Sequence, residues 1–489
     1  MLSRVLSIAG PVWVYLTMAV LVYGIAQQRK RLDWIALGPA FAGLLASAIF
    51  LAPIHRLFFD EDLYINIASN LTRFPVNQVT VIGGPDDIQV SSYYKEPAGW
   101  PVLLSFALLA GGRSEAVAFW FARLLFALAL AAVYHLAREM LPTRRQAVLA
   151  AILFGAVPVC FWYSVSAGTD VAAALLGVLG MWGIVTGNGA LAAAGLAFAA
   201  QTRMELLVLV PLVWLSPKVS LKWKVVAGAL VAVEVVHVAW VMSVASMLER
   251  AEEVSSAFSI GYIGRNLRDN FRYLFISPFD FPLAISVLAV VAAFRKSWKR
   301  FPWEEAWIGV LFAVYLVFYA GSFNLNPRYG IQILAPLTIL AASFATRPIW
   351  IAALLISAIL PATQRYELTP YLKALEADHR FCVQFASQLK PDDLVVSGQQ
   401  EIFLTQGRRG MNAAFAESRK SRLEDEIRKR GKAWYHAGVR STVVNSDEWR
   451  ADRWMKSNFE LHLIDSHEVS GIRIAFYEIL LNGIDREAR

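Results

Sequence analysis

Charge is scarce in this chain. Asp, Glu, Lys and Arg make up 17% of its 489 residues, against about 25% in a typical soluble domain. Apolar residues make up 57%, and the mean hydropathy is +0.47. That balance excludes a soluble globular enzyme and a disordered chain. It also excludes a nucleic-acid-binding protein, despite a formal net charge of +8 and a pI near 9.4. In a membrane protein a basic excess belongs to cytoplasmic loops. Cysteine is nearly absent. Cys160 lies in an apolar run and Cys382 in a polar tail, which excludes a disulfide scaffold. No Cys/His cluster has zinc-ligand spacing, and no phosphate-binding Gly-rich loop follows a strand. Internal repeats, low-complexity linkers and the inverted symmetry of secondary transporters are missing as well.

Long apolar runs dominate what is present. A span needs about 20 mostly apolar residues. Runs that meet or approach this lie at 5–26, 34–54, 117–138, 146–163, 168–187, 223–247, 281–294, 303–320, 328–345 and 348–362. The stretch 189–215 is interrupted by Gln201, Arg203 and Glu205 and reads as two short segments meeting at a polar turn. The pattern predicts about twelve crossings. The first run carries only Arg4 at its N-terminal end and is followed by Arg29-Lys30-Arg31, so it reads as a span and not as a cleaved signal peptide.

One set of short loops, including 29–31, 138–145, 218–224, 295–300 and Arg347, holds 14 Lys and Arg and is assigned to the cytoplasm. The opposite face then carries the loops 55–116 and 248–280 and the tail from residue 364. The tail has 20 basic and 19 acidic residues. The net charge is therefore a topology signal and names no anionic partner. Tail segments 394–396, 441–444, 460–464 and 472–476 read as short strands, and 413–430 and 447–457 as helices. His436, His462 and His467 read as ordinary core or surface histidines of that tail.

The first outer loop opens on Phe59-Asp60-Glu61-Asp62-Leu63-Tyr64. Leu63, Ile67 and Leu71 recur at helical spacing, which predicts an amphipathic helix along the membrane surface. A helix N-terminus favours ionised carboxylates, while three in a row push at least one pKa up. The outcome is a carboxylate able to act as a base at the interface. An acidic N-cap is the plainer reading. A divalent-metal site is the less favoured one, because adjacent helical residues point in different directions. Further on, Lys95 and Glu96 precede an apolar helix and either pair locally or meet a ligand. Arg265, Arg268 and Arg272 share a helix face, suited to a lipid phosphate or to acidic headgroups. Glu234 and His237, one turn apart inside a span, read as a structural pair.

These motifs together resemble the type C glycosyltransferase superfamily of protein O-mannosyltransferases and aminoarabinose transferases. The matching segments are Asp60-Glu61-x-x-Tyr64-x-x-Ile67-Ala68-x-x-Leu71, residues 97–104, Tyr163-Ser164-x-Ser166-Ala167-x-x-Asp170, Thr202-Arg203-x-Glu205-x-Leu207, and Arg328-Tyr329 with Pro336. The resemblance covers roughly residues 34–362. It departs at Lys95-Glu96-Pro97-Ala98, where relatives carry Glu-Lys-Pro-Pro or His-Pro-Pro; this argues against aminoarabinose as the sugar.

The resemblance implies transfer of a monosaccharide from a polyprenyl-phosphate donor to a lipid, glycan or protein acceptor at the outer face. Asp60 would be the general base, and Glu61 would position Asp60 or the acceptor. Asp62, Tyr64, Lys95, Glu96, Arg203, Arg265, Arg268, Arg328 and Tyr329 would contact substrate. Arg203 can instead pair with Glu205 or another buried acid, and Arg328 can act as an interfacial anchor. No cofactor is implied. A lipid or polysaccharide transporter and a non-catalytic envelope-assembly scaffold are the rival classes. The expected fold is a polytopic α-helical membrane protein of type C architecture, residues 1–363, with a small extracytoplasmic α/β domain over 364–489.

Overall fold

The computed structural model describes residues 1–57, 59–248, 260–275, 277, 285, 287–288, 291, 309–310, 327–344, 348–363, 370–430, 432–444 and 446–481. Apolar helices form its larger part. They include α1 (Leu2–Gln27), α2 (Leu37–Phe50), the first-loop helix α3 (Phe59–Leu71), α4 (Gly99–Gly111), α5 (Glu115–Met140), α6 (Arg144–Ala156) and α7 (Pro158–Tyr163). Then follow α8 (Thr169–Thr186), α9 (Gly189–Thr202), α10 (Pro211–Leu215), α11 (Leu221–Leu248), α12 (Ile260–Phe275), α13 (Ile331–Phe344) and α14 (Pro348–Thr363). Among the described residues, α1, α5, α8 and Leu221–Val241 of α11 are long and apolar enough to cross a membrane. The runs expected at 281–294 and 303–320 lie almost wholly outside the described residues. The run 146–163 breaks at Pro158, whose ring forces Val157 into an extended conformation. The run 189–215 divides at Arg203, which is extended, and continues as a 3-10 segment, Met204–Leu209, before α10.

Small residues set the spacing of these helices. A Cβ on Gly183 of α8 would stand 2.3 Å from the Ala192 amide of α9, and one on Gly195 of α9 would stand 2.4 Å from the Gly180 amide. With lipid as apolar as the side chains, such close backbone approach is what holds apolar helices together. A Cβ on Gly99 would stand 2.4 Å from the Gln201 carbonyl. The start of α4 is therefore pressed against the end of α9. Trp100, fully buried, donates its indole N–H to Ala167 O at 2.8 Å.

The tail contains α15 (Pro370–Gln388), α16 (Gln400–Thr405), α17 (Ala413–Ser418), α18 (Lys420–Arg430) and α19 (Asp447–Asn458). Its strands join a hairpin of the loop 55–116, β1 (Gln78–Gly83) and β2 (Ile88–Tyr93), in one sheet. The tail strands are β3 (Leu394–Ser397), β4 (Arg409–Asn412), β5 (Ala433–Ala437), β6 (Glu460–Val469) and β7 (Ile472–Leu480), and the order is β2-β1-β4-β3-β5-β7-β6. β3 runs parallel to β4 and β5, and the remaining pairs are antiparallel. Alternation along β3 sends Leu394 and Val396 into a core with α17, α18 and α19, and Val395 into a core with α15 and α16. The expected strand at 441–444 is instead a 3-10 turn over Val439–Thr442, and the strand lies earlier, at Ala433–Ala437.

Because of this shared sheet, the tail does not stop at residue 364 as a structural unit. Ile82 and Gly83 pair with Met411 and Gly410, and Arg409 Nη2 meets Asp87 Oδ2 at 2.6 Å. Helix α3 lies between α4 on one side and β1 and α16 on the other. The expected amphipathic surface helix is thus a buried one: Leu63, Tyr64, Ile65, Asn66, Ile67, Ala68 and Asn70 are all covered. Its polar positions are satisfied by the hairpin. Asn66 Oδ1 accepts from Thr80 N at 2.9 Å, and Asn70 Nδ2 donates to Gln78 O at 2.9 Å.

The glycine spacing is checked within α8. Gly183→Val should lower the thermal midpoint in detergent, as overpacking costs about 1–3 kcal/mol. Gly177→Ala, where a Cβ meets nothing within 4 Å, should hold the midpoint or raise it by up to about 1 kcal/mol equivalent. Intrinsic tryptophan fluorescence on heating reads both.

Candidate active site

The three consecutive acids at the start of α3 have three different surroundings. The Asp60 side chain is 37% exposed, and Arg328 Nη2 donates to its Oδ2 at 3.3 Å. Glu61 is fully buried. Its Oε2 accepts from the amides of Arg56 at 2.6 Å and Leu57 at 2.8 Å, and its Oε1 from Ser166 Oγ at 2.8 Å and the Ala167 amide at 2.9 Å. Burial would raise the Glu61 carboxyl, but His55, the Leu57 amide and the Ser166 hydroxyl outweigh burial and hold it down at about 2. Glu61 therefore ties two loops together and anchors the turn that carries Asp60, one of the two positioning roles expected of it. Asp62 is buried too. Its Oδ1 faces His55 Nε2 at 3.7 Å and His379 Nε2 of α15 at 3.4 Å. That orientation turns Asp62 toward the two histidines and away from Arg328, the partner of Asp60.

Asp60 stands beside a network built from the matching motifs. Arg328 projects from a 3-10 turn, Pro327–Gly330, just before α13. Its Nε lies 4.0 Å from Asp170 Oδ2, at the start of α8. Arg203 Nη1 bonds Asp170 Oδ1, and Arg203 Nε bonds Glu205 Oε1 at 2.5 Å. The Tyr329 ring lies under both guanidinium groups, 4.9 Å from Arg203 and 5.2 Å from Arg328. Gln332 Nε2 donates to Asp170 O at 3.0 Å and pins that turn. Asp170 is the hub, although the sequence reading gave it no role; the Tyr-Ser-x-Ser-Ala-x-x-Asp spacing was the available signal.

Glu96 and Tyr64 complete the surroundings of Asp60. Burial raises the Glu96 carboxyl; Lys95 opposes the rise, and the charges of Asp60 and Glu205 add to it. Tyr64 is buried and its phenol is pushed up by burial, then by Glu96 and Asp60, so it stays protonated. Tyr94 is raised by the same causes in the same order, and its place near the site was not foreseen. Of the pair at 95–96, Glu96 faces this group, while Lys95 is exposed and its carbonyl meets His237 Nε2 at 2.8 Å. His237 Nδ1 also contacts the Tyr93 hydroxyl. His237 thus bonds the first loop and not Glu234, against the expected pair; among the described residues Glu234 Oε1 has no hydrogen-bond partner. Arg265 and Arg268 are exposed on α12. Arg265 lies over the Tyr262 ring at 5.7 Å, and neither arginine takes part in the Asp60 ion pairs described above.

No protein-family profile matches the chain, and no curated protein matches it. Solved structures do. ArnT from Cupriavidus metallidurans, bound to undecaprenyl phosphate, is 14% identical with a TM-score of 0.55, over 91% of this chain and 97% of that one. The Archaeoglobus fulgidus oligosaccharyltransferase, in complex with Zn and sulfate, is 12% identical with a TM-score of 0.51, over 89% of this chain and 72% of that one. The mycobacterial arabinofuranosyltransferase AftD is 11% identical with a TM-score of 0.51; the match takes in 93% of this chain and 40% of AftD. All three are type C glycosyltransferases. The chain shares their fold, and it is a membrane protein by that fold and by its apolar helices.

The different settings of Asp60 and Glu61 predict different variants. Glu61→Gln presents an amide N–H₂ to two donors and should cost about 2–3 kcal/mol of stability. Asp60→Asn keeps a half-exposed group of the same shape and should leave the thermal midpoint near wild type. Parallel melts of the two purified variants check this.

Proposed function

We propose that the chain is an integral membrane glycosyltransferase. It moves a monosaccharide from a polyprenyl-phosphate-linked donor to a lipid, glycan or protein acceptor at the outer face of the membrane. The observation that carries this reading is the pairing of the half-exposed Asp60 carboxylate with Arg328 at 3.3 Å, beside the Arg203–Asp170–Glu205 network. An acid able to take a proton and two cations able to hold a phosphate meet at one place, on a fold shared with proteins that include one bound to undecaprenyl phosphate.

In this reading the acceptor hydroxyl or amine gives its proton to Asp60 as its lone pair attacks the anomeric carbon. The bond from that carbon to the phosphate oxygen breaks, and the electron pair leaves on the lipid phosphate. Arg328 and Arg203 stabilise the charge that develops there. The planar fork of Arg suits two phosphate oxygens at once. Glu96, whose carboxyl is pushed up by burial, and the Tyr64 phenol supply further polar groups near Asp60. Glu61 and Asp62 act on the scaffold. Lys95, Arg265 and Arg268 are peripheral cations toward the phosphate or the headgroups.

Purified protein incubated with a panel of radiolabelled polyprenyl-phosphate sugars should turn over one donor. Asp60→Asn should lower that transfer by about 10² to 10⁴-fold while the same donor still binds. Wild-type transfer by this variant refutes the base assignment, and turnover of no donor by the wild type refutes sugar transfer. Arg328→Gln should weaken binding of polyprenyl phosphate by about 10- to 100-fold, the worth of one charged hydrogen bond; equilibrium binding of the lipid alone measures it.

A further inference from the structure

We propose that His55, Asp62, Glu115 and His379 bind a single divalent transition-metal ion, zinc by ligand chemistry, which fastens the tail helix α15 to the first outer loop and to the start of α5. This site lies off the Asp60 network and does not depend on the transfer reaction proposed above.

The four side chains come from four separate segments: the chain before α3, α3 itself, the first residue of α5, and α15. One ligand atom from each can be chosen so that all lie within 4.8 Å of one another. The nearest approaches are closer. His55 Nε2 stands 3.3 Å from Glu115 Oε2 and 3.7 Å from Asp62 Oδ1. His379 Nε2 stands 3.4 Å from Asp62 Oδ1 and 3.6 Å from Glu115 Oε1. Ligands about 2.1 Å from a tetrahedral centre are about 3.4 Å from each other, the scale of these four approaches, in which Glu115 turns one oxygen to each histidine. The histidine rings are 4.1 Å apart, centre to centre.

Two features favour a metal over a closed hydrogen-bond network. Among the described residues, neither Asp62 Oδ1 nor His379 Nε2 has a hydrogen-bond partner, although Asp62 and His379 are 3% and 9% exposed. Buried polar atoms are ordinarily paired. The neighbouring Asp378, Cys382 and His436 group behaves in the opposite way: His436 Nε2 meets Asp378 Oδ1 at 2.9 Å, Ser397 Oγ meets His436 Nδ1 at 3.0 Å, and the Val439 amide donates to Asp378 Oδ2 at 2.8 Å. That group is satisfied by protein alone. The second feature is the far ring nitrogen of His55, whose Nδ1 faces Glu61 Oε2 at 3.4 Å. A carboxylate behind an imidazole orients it as a metal ligand. Two imidazoles with two carboxylates suit zinc or a neighbouring transition ion, and disfavour magnesium and calcium, which take oxygen ligands. A cleft of about 370 Å³, lined in part by His55, Glu115, Glu376, His379 and Gln384, provides the access path.

The test uses the full chain in detergent, stripped with a chelator, dialysed and titrated with ZnCl₂. Wild type should retain one equivalent of zinc per chain by elemental analysis, show a raised thermal midpoint, and give the visible absorption of tetrahedral Co²⁺ when loaded with cobalt. His55→Ala and His379→Ala should lose the equivalent, the shift and the spectrum. His462→Ala, an exposed tail histidine, should keep all three. Size exclusion confirms that each variant is folded, and His379→Gln replaces any His379→Ala protein that is not. Zinc retained equally by the His55 and His379 variants, or by none of the proteins, overturns the site.

Discussion

Consecutive residues of an α-helix diverge by about 100°, and this constraint organises the site around the start of α3. Asp60, Glu61 and Asp62 cannot serve one site. Asp60 turns to Arg328 and stays half-exposed, Glu61 turns to four protein donors, and Asp62 turns to two histidines. The middle carboxylate fixes the other two. By holding the amides of residues 56 and 57, the Ser166 hydroxyl and the Ala167 amide at once, Glu61 sets the rotation of α3 against the loop before α8, the element that also presents Asp170. The position of Asp60 relative to Arg328 and Asp170 therefore depends on the buried residue next to it in sequence.

The second constraint is coverage. A short helix with three acids at one end and asparagines along its length has the sequence of an interfacial element, yet α3 is enclosed. The hairpin β1–β2 supplies partners for Asn66 and Asn70, and α16 covers the side left open by α4. The same hairpin extends the tail's sheet through Ile82 and Gly83. The tail strands thus brace the segment that carries the acids, and hairpin and tail form one mechanical unit around α3.

This arrangement shows what a sequence can and cannot disclose. Apolar runs report helices because burial in a helical bundle is written locally; α1, α5, α8 and α11 fall within a few residues of their expected limits. Pro158 was legible as a chain breaker only after the fact, since the apolar run continues through it. Asp60, Arg203 and Arg328 were reachable through motif spacing, because each motif is short. The enclosure of α3 was not reachable, because it depends on strands some 300 residues away pairing with the first loop, and backbone pairing leaves no local mark. The grouping of His55, Asp62, Glu115 and His379 is hidden for the same reason: each residue is unremarkable in its own segment. At 433–437 the strand is flanked by charged residues, and the more β-branched 441–444 drew the assignment although it closes as a 3-10 turn.

Electrostatics at the site can now be read as a sequence of states. Arg203 and Arg328 face Asp60, Asp170 and Glu205, with Glu96 driven toward its neutral form. The ionised groups alone leave the site slightly negative, a poor welcome for a phosphate unless a cation is released to meet it. Arg328 is the more loosely held of the two: it lies 3.3 Å from Asp60 and 4.0 Å from Asp170, whereas Arg203 bonds Asp170 and Glu205 more closely. In the proposed reaction a donor phosphate that draws Arg328 toward itself strips Asp60 of its cationic neighbour. Donor binding would then leave Asp60 facing the acceptor without its cationic partner.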